Sequence, residues 1–434
     1  MTPRIEARDK VTFIGSLFVP PGTQGEILGV AFDLSVHKQM EKGQMIVAPQ
    51  LPQLGPRYYM NSEAMAGLPF VSFHSESPAD PCYDLQVTLD DGARLGDFIV
   101  PDSKRELFDQ IHAACISLAG GGYARNPSEG IRMRDEALST LVSLCPGMAE
   151  LPVGIQIIIE AAEQGRIDLT NRTVKIQIAG PINTAYYSKV QNESGEFEDK
   201  LIVRSYEALA THSLLILARS ILWAKALEKY GCNVVCSFDE PCFKYLDQER
   251  GGPRLRTALD TYELLWANPD YLPYSRMIHV CDVIVPEFLE YVDLLNWDVY
   301  KNAELAAGNE PALKAFILRG GRLVTGVVPT NPDDTRELIK QIGGDGQIKT
   351  LFKDNELRTA FVQACAARVE KVIKILTNEK LPPDSRMTLE EVMRGLMVSP
   401  QCGLGGMLGD VDAPEYSALV YDLIYQVAAV VGLI

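Results

Sequence analysis

His279 and Cys281, in the stretch YSRMIHVCD, could aim a nitrogen and a sulfur at one point. The stretch reads as a strand, and on a strand residues i and i+2 share a face. Alone, the pair also fits a core histidine beside a buried cysteine. Two further residues extend it. Glu304 follows in WDVYKNAEL, read as the end of the next strand, and Cys402 follows the final strand in SPQCGLGG. Gly403, Gly405 and Gly406 beside Cys402 allow the turns that expose a ligand. A histidine, a glutamate and two thiolates suit zinc, a borderline-soft ion with a tetrahedral preference. Structural zinc sites favour closely spaced pairs, whereas these ligands come from three strand ends, which points to a catalytic Zn2+. Such a site has little Lewis acidity left for water. It could instead hold an incoming thiol as thiolate near neutral pH, so S-alkylation is expected rather than hydrolysis.

Elements must bring these residues together, and strand-like and helix-like runs alternate along the chain. VTFIGSLF (11–18), TVKIQIAGP (173–181), NVVCSFDEP (233–241), YSRMIHVCD, WDVYKNAEL, GRLVTGVVPT and RGLMVSPQCGLGG read as strands. Helices are expected between them, among them SKRELFDQIHAACISLA, the long YEALATHSLLILARSILWAKALEKYG and the C-terminal YSALVYDLIYQVAAVVGLI. The pattern predicts an α/β fold, a single (β/α)8 TIM barrel over residues 1–434. Residues 20–100 form an elaborated loop and strand region, an N-terminal extension or insertion. Within it GEILGVAFDL and YDLQVTLDDGARLGDFIV read as short strands, with the DDG at 90–92 a hairpin turn. Ser16, Gly180-Pro181, Asp239-Glu240, His279/Cys281, Glu304 and Cys402 fall at strand ends, which in such a barrel converge on the catalytic face.

The composition limits the alternatives. The 434 residues carry a net charge of −16, and no basic patch interleaved with aromatics is present, so nucleic-acid binding is not expected. No run approaches the roughly 20 apolar residues of a membrane span. The start, MTPRIEARDK, lacks the apolar core of a secretion signal. Nine cysteines at scattered spacing argue against a disulfide framework and for a reducing cytoplasm.

With these residues in view, the chain resembles the catalytic barrel of cobalamin-independent methionine synthase, within the methionine synthase/uroporphyrinogen decarboxylase-like superfamily. IGS at 14–16, AGP at 179–181, SFDEP at 237–241, IHVC at 278–281 and SPQCGLG at 399–405 carry the likeness. The resemblance implies that His279, Cys281, Glu304 and Cys402 ligate zinc. It implies that Asp239, with Glu240 beside it, binds the amino group of an amino-acid thiol such as homocysteine, and that Ile14 and Ser16 hold its carboxylate end. Tyr187 falls where the family stacks an aromatic ring on folate. The fit of Glu304 needs a one-residue shift.

The chain departs from the family in three ways. It is too short for the duplicated N-terminal barrel. Val327-Val328-Pro329-Thr330-Asn331 replaces the segment whose histidine handles protons, and the folate-site HGE motif has no good match. The glycine-rich GGGYARNPSEG at 120–130 could cradle an anion with Arg125, or merely connect helices. The methyl donor therefore stays open between a methylfolate, a methylcorrinoid and another small methylated compound. A homodimer is possible. Two other readings remain. One is an epoxyalkane:coenzyme M type thiol alkyltransferase, which needs a sulfonate site for which Arg125, Arg132 and Arg134 are candidates. The other is a non-catalytic or decarboxylase-like barrel.

Overall fold

The computed structural model describes residues 8–14, 16–74, 77–87, 98–100, 102–191, 197–198, 206–245, 253–266, 268–404 and 413–434. Twelve strands lie among them: β1 Ile46–Val47, β2 Val71–His74, β3 Ser77–Val87, β4 Phe98–Ile99, β5 Thr173–Ala179, β6 Lys189–Gln191, β7 Phe197–Glu198, β8 Asn233–Asp239, β9 Ser275–Val280, β10 Leu294–Asp298, β11 Arg322–Val328 and β12 Leu396–Pro400. Seven form one sheet in the order β1-β5-β8-β9-β10-β11-β12. Every pairing in it is parallel, and helices occupy the connections. The segment at 11–16 touches both edge strands' neighbourhoods. Val11 bridges Val398 on β12, and Ser16 bridges Gln50 just past β1, both in parallel sense.

Parallel strands covered by helices must be apolar on the helix side, and they are. Val174, Ile176, Ile178, Phe238, Ile278, Leu295 and Trp297 belong to the main core with the helices. The opposite parity carries a separate small core of Met45, Val235, Met277, Leu294, Val324 and Met397. Further along the same face stand polar residues: Lys175, Gln177, Ser237, Asp239, His279, Asn296 and Ser399, all buried. Register places Asp239 beside His279 and His279 beside Asn296. The apolar layer thus floors a polar one at the carboxyl ends of the strands.

Three expectations need correction. GEILGVAFDL is not a strand; it lies in the helix Gln24–Phe32 and the turn that follows. A capping box starts that helix, with Thr23 Oγ1 accepting from Glu26 N–H and the Glu26 carboxylate accepting from Thr23 N–H at 2.8 Å. WDVYKNAEL is strand only to Asp298, then helical over Val299–Asn302 and Ala303–Ala306. The glycine-rich run at 120–130 is no anion cradle. Gly120, Gly121 and Gly122 end the helix Asp102–Gly122, and a second helix runs Pro127–Leu144. A Cβ on Gly130 would lie 2.4 Å from the Gly121 carbonyl oxygen, so the glycines let two helix backbones touch.

The elaborated region builds a second sheet, β2-β3-β6-β7 with β4 on β3. β3 and β4 pair antiparallel, as a hairpin would; the DDG turn lies outside the described residues. β6, which follows β5 and the helix Pro181–Tyr187, pairs with β3. None of the described helices is long and apolar enough to cross a membrane.

Candidate metal centre

His279 is held rigidly at the end of β9. Its Nδ1 lies 2.6 Å from Asn296 Oδ1, and Asn296 Nδ2 donates to the Val324 carbonyl and to Ser399 Oγ. Because the Asn296 amide nitrogen is committed, its oxygen faces the ring and Nδ1 must carry the proton. Nε2 then faces Cys281 Sγ at 3.9 Å and Cys402 Sγ at 3.6 Å. The three donor atoms all lie within 4.8 Å of one another. A tetrahedral ion with sulfur bonds of about 2.3 Å and a nitrogen bond of about 2.0–2.1 Å needs its nitrogen and sulfur donors about 3.6 Å apart. The three residues can hold a metal ion.

Cys402 reaches the group from the loop after β12. Its N–H donates to Thr330 Oγ1 at 3.2 Å, so the segment at 327–331, where β11 ends, anchors the Cys402 backbone. The next residue, Gly403, presses against Ser16: a Cβ there would be 2.9 Å from Ser16 Oγ and 3.4 Å from Ile14 Cγ2. The Ile14–Ser16 segment therefore borders the sulfur cluster.

The electrostatics suit a thiolate site. The hydrogen bond from Cys402, and then His279, pull the Cys281 thiol down to about 4 against the cost of burial. The same contact and burial push Cys402 well above its ordinary value. Burial works against charge on His279, but Cys281, Asp239 and Asn296 together lift it to about 9.

Asp239 ends β8 beside this cluster. Burial raises its carboxyl, while His279, Lys175 and Gln177 pull the other way. Oδ2 accepts from Gln177 Nε2, and Oδ1 is buried with no hydrogen-bond partner among the described residues. An orphaned, buried carboxylate oxygen is a ready acceptor for a ligand's donor. Ser237 Oγ on the same strand also lacks a partner.

The other expected residues go elsewhere. Glu304 is not in the metal group; its exposed carboxylate pairs with Lys371. Glu240 faces the helix Pro181–Tyr187, accepting from Ile182 N–H at 3.0 Å, Asn183 N–H at 2.7 Å and the Tyr262 hydroxyl. Burial pushes that carboxyl up to about 8. It is saturated by protein donors rather than presented to a ligand. Tyr187 ends the same helix, 46% exposed, its ring edge-on to Tyr186.

Two residues escaped the sequence reading. Asn296 orients His279, and its signal was a lone amide inside the apolar LLNWD. Asp298, at the true end of β10, is a buried carboxylate that feels the charge of Cys281. Burial pushes it up to about 6, with Gln401 and the Lys301 amide opposing and Cys281 reinforcing. Its Oδ2 accepts from Gln401 Nε2 at 2.9 Å and its Oδ1 from Lys301 N–H at 3.0 Å. The chain matches no protein-family model and no curated protein, so the site stands on its own geometry.

Proposed function

We propose that this chain is a zinc-dependent S-methyltransferase whose acceptor is an amino-acid thiol such as homocysteine. The observation that carries the reading is the convergence of His279 Nε2 with the sulfurs of Cys281 and Cys402, the imidazole being locked by Asn296. One nitrogen and two sulfurs form a donor set that selects zinc over harder cations. In this reading the segment at 11–17 is the first stave of a closed eight-stranded barrel, which its bridges to Val398 and Gln50 support.

Zinc bound there would lower the pKa of a coordinated thiol and so supply a thiolate nucleophile near neutral pH. The chain's own residues do the rest. Asn296 keeps the Nε2 lone pair on the metal side. Asp239 Oδ1 accepts from the substrate ammonium, an interaction of opposite charges in a water-poor site. Ile14 and Ser16, beside Gly403, receive the carboxylate end. Transfer converts thiol and methylated donor into thioether and demethylated donor, and the thiol proton leaves with the demethylated product. The second sheet and Tyr187 flank the helix after β5 and would meet the donor.

No observation favours the sulfonate-thiol alternative. Arg132 pairs with Glu136 at 2.7 Å, and Arg134 is buried against Asp135 and the Tyr271 carbonyl.

The test combines metal analysis with X-ray absorption. Purified protein should carry zinc, Cys281→Ser and Cys402→Ser should lower its content, and homocysteine should add one sulfur to the zinc shell. Protein without zinc, or a shell unmoved by homocysteine, overturns the reading.

A further inference from the structure

A lysine lies fully buried on the polar face of the main sheet, which is unusual for a residue with a strongly hydrated head group. Lys175 is on β5, one strand from Asp239. Its Nζ donates to the Phe13 carbonyl at 2.6 Å and to Gln177 Oε1 at 2.8 Å. Gln177 Nε2 in turn donates to Asp239 Oδ2.

The order of these bonds is directional. An ammonium has donors and no acceptor, so only the amide oxygen of Gln177 can face it. The amide nitrogen must then point the other way, at Asp239. That bond occupies one carboxylate oxygen and leaves Oδ1 as the acceptor with no hydrogen-bond partner among the described residues. The second bond of Lys175 ties down Phe13, the residue before Ile14. One buried cation thus sets both walls of the chamber: the acidic strand end on one side and the 13–16 segment on the other.

We propose that Lys175, acting through Gln177, is a positioning residue that sets Asp239 to receive the substrate's amino group and so makes the site selective for amine-bearing thiols. The proposal rests on the amino-acid-thiol reading above. Without Lys175, the Gln177 amide loses the donor that fixes which end faces Asp239, and the Asp239 carboxylate loses that orientation. Neither change removes a metal donor. The expected loss is in recognition of the amine, with the thiol's sulfur end unaffected.

The test uses the zinc-loaded full chain and two probes, homocysteine and γ-mercaptobutyrate, which has the same thiol and carboxylate without the amine. Binding of each is measured by titration calorimetry, with zinc content and the thermal midpoint as controls of folding. The wild type should favour homocysteine. Lys175→Met should lose that preference by a factor on the order of ten or more, while affinity for γ-mercaptobutyrate holds. Gln177→Met keeps the Lys175–Phe13 bond and removes the relay between Lys175 and Asp239; it should show the same loss, and it decides the matter if Lys175→Met does not fold. A general structural role would weaken both probes alike. If the wild type prefers homocysteine and Gln177→Met keeps the full preference, the positioning role is overturned and the thiol reading stands. If the wild type binds neither probe, the thiol reading itself fails and takes the proposal with it.

Discussion

Asn296 Oδ1 sits 2.6 Å from His279 Nδ1, and through that contact one amide decides which face of the imidazole is open to the two sulfurs. Such outer partners of a ligating histidine typically tune metal affinity 10–100-fold, about 1.4–2.7 kcal/mol. Asn296→Leu should therefore weaken zinc binding by a factor in that range, measured by competition with a chromophoric chelator. Unchanged affinity would mean that His279 is not a ligand.

Glu304 and the sulfur ligands should separate cleanly. Glu304→Ala breaks an exposed ion pair with Lys371 and should leave zinc stoichiometry intact, with a stability change of about 0–1 kcal/mol. Cys402→Ser should reduce zinc content directly. Elemental analysis of the two variants side by side checks this, and loss of zinc in Glu304→Ala would restore the glutamate as a ligand.

The helix pair over 102–144 should be intolerant of a single methyl group. Gly130→Ala puts a carbon 2.4 Å from a backbone oxygen that cannot swing away. Overpacking of this kind typically costs about 1–3 kcal/mol, so the urea midpoint should fall. An equal or higher midpoint would show that the helices can slide apart at little cost.

Glu63 gives a pH dependence of definite sign. Burial pushes its carboxyl from the ordinary 4.5 up to about 8, opposed only by the Gln50 hydrogen bond. The folded state therefore binds a proton that the unfolded state has released over that window. Its contribution to stability is full below about 4.5 and is lost as pH rises toward about 8. Glu63→Gln removes the titration, so its denaturation midpoint should fall less than the wild type's between those limits. Parallel curves for the two proteins would show that Glu63 is ionised when folded.

Much of this was legible in the chain itself. His279 and Cys281 could be paired because strand periodicity is two, whatever the rest of the fold does. Asp239 could be placed at a strand end because an apolar run stops there. Glu304 could not be placed. Its stretch continues past Asp298 with Val299 and Tyr300, which suit a strand as well as a helix, and the Asp298 carboxylate accepting from Lys301 N–H starts a helix at that point. That cap turns the chain away and leaves Asp298, rather than Glu304, at the metal-side rim.

Residue types and period-two spacing were enough to single out His279, Cys281 and Cys402 and most strands of the main sheet, though not the helix Gln24–Phe32, since such signals depend on neighbours a few positions apart. Tertiary structure alone decided what touches what across the sheet: Asn296 on His279, Lys175 on Phe13, Gln177 on Asp239, Gly403 on Ser16. Those partners are separated in sequence by up to several hundred residues. They meet because parallel register lines up successive strands side by side, and a register is a property of paired strands that no single stretch of sequence contains.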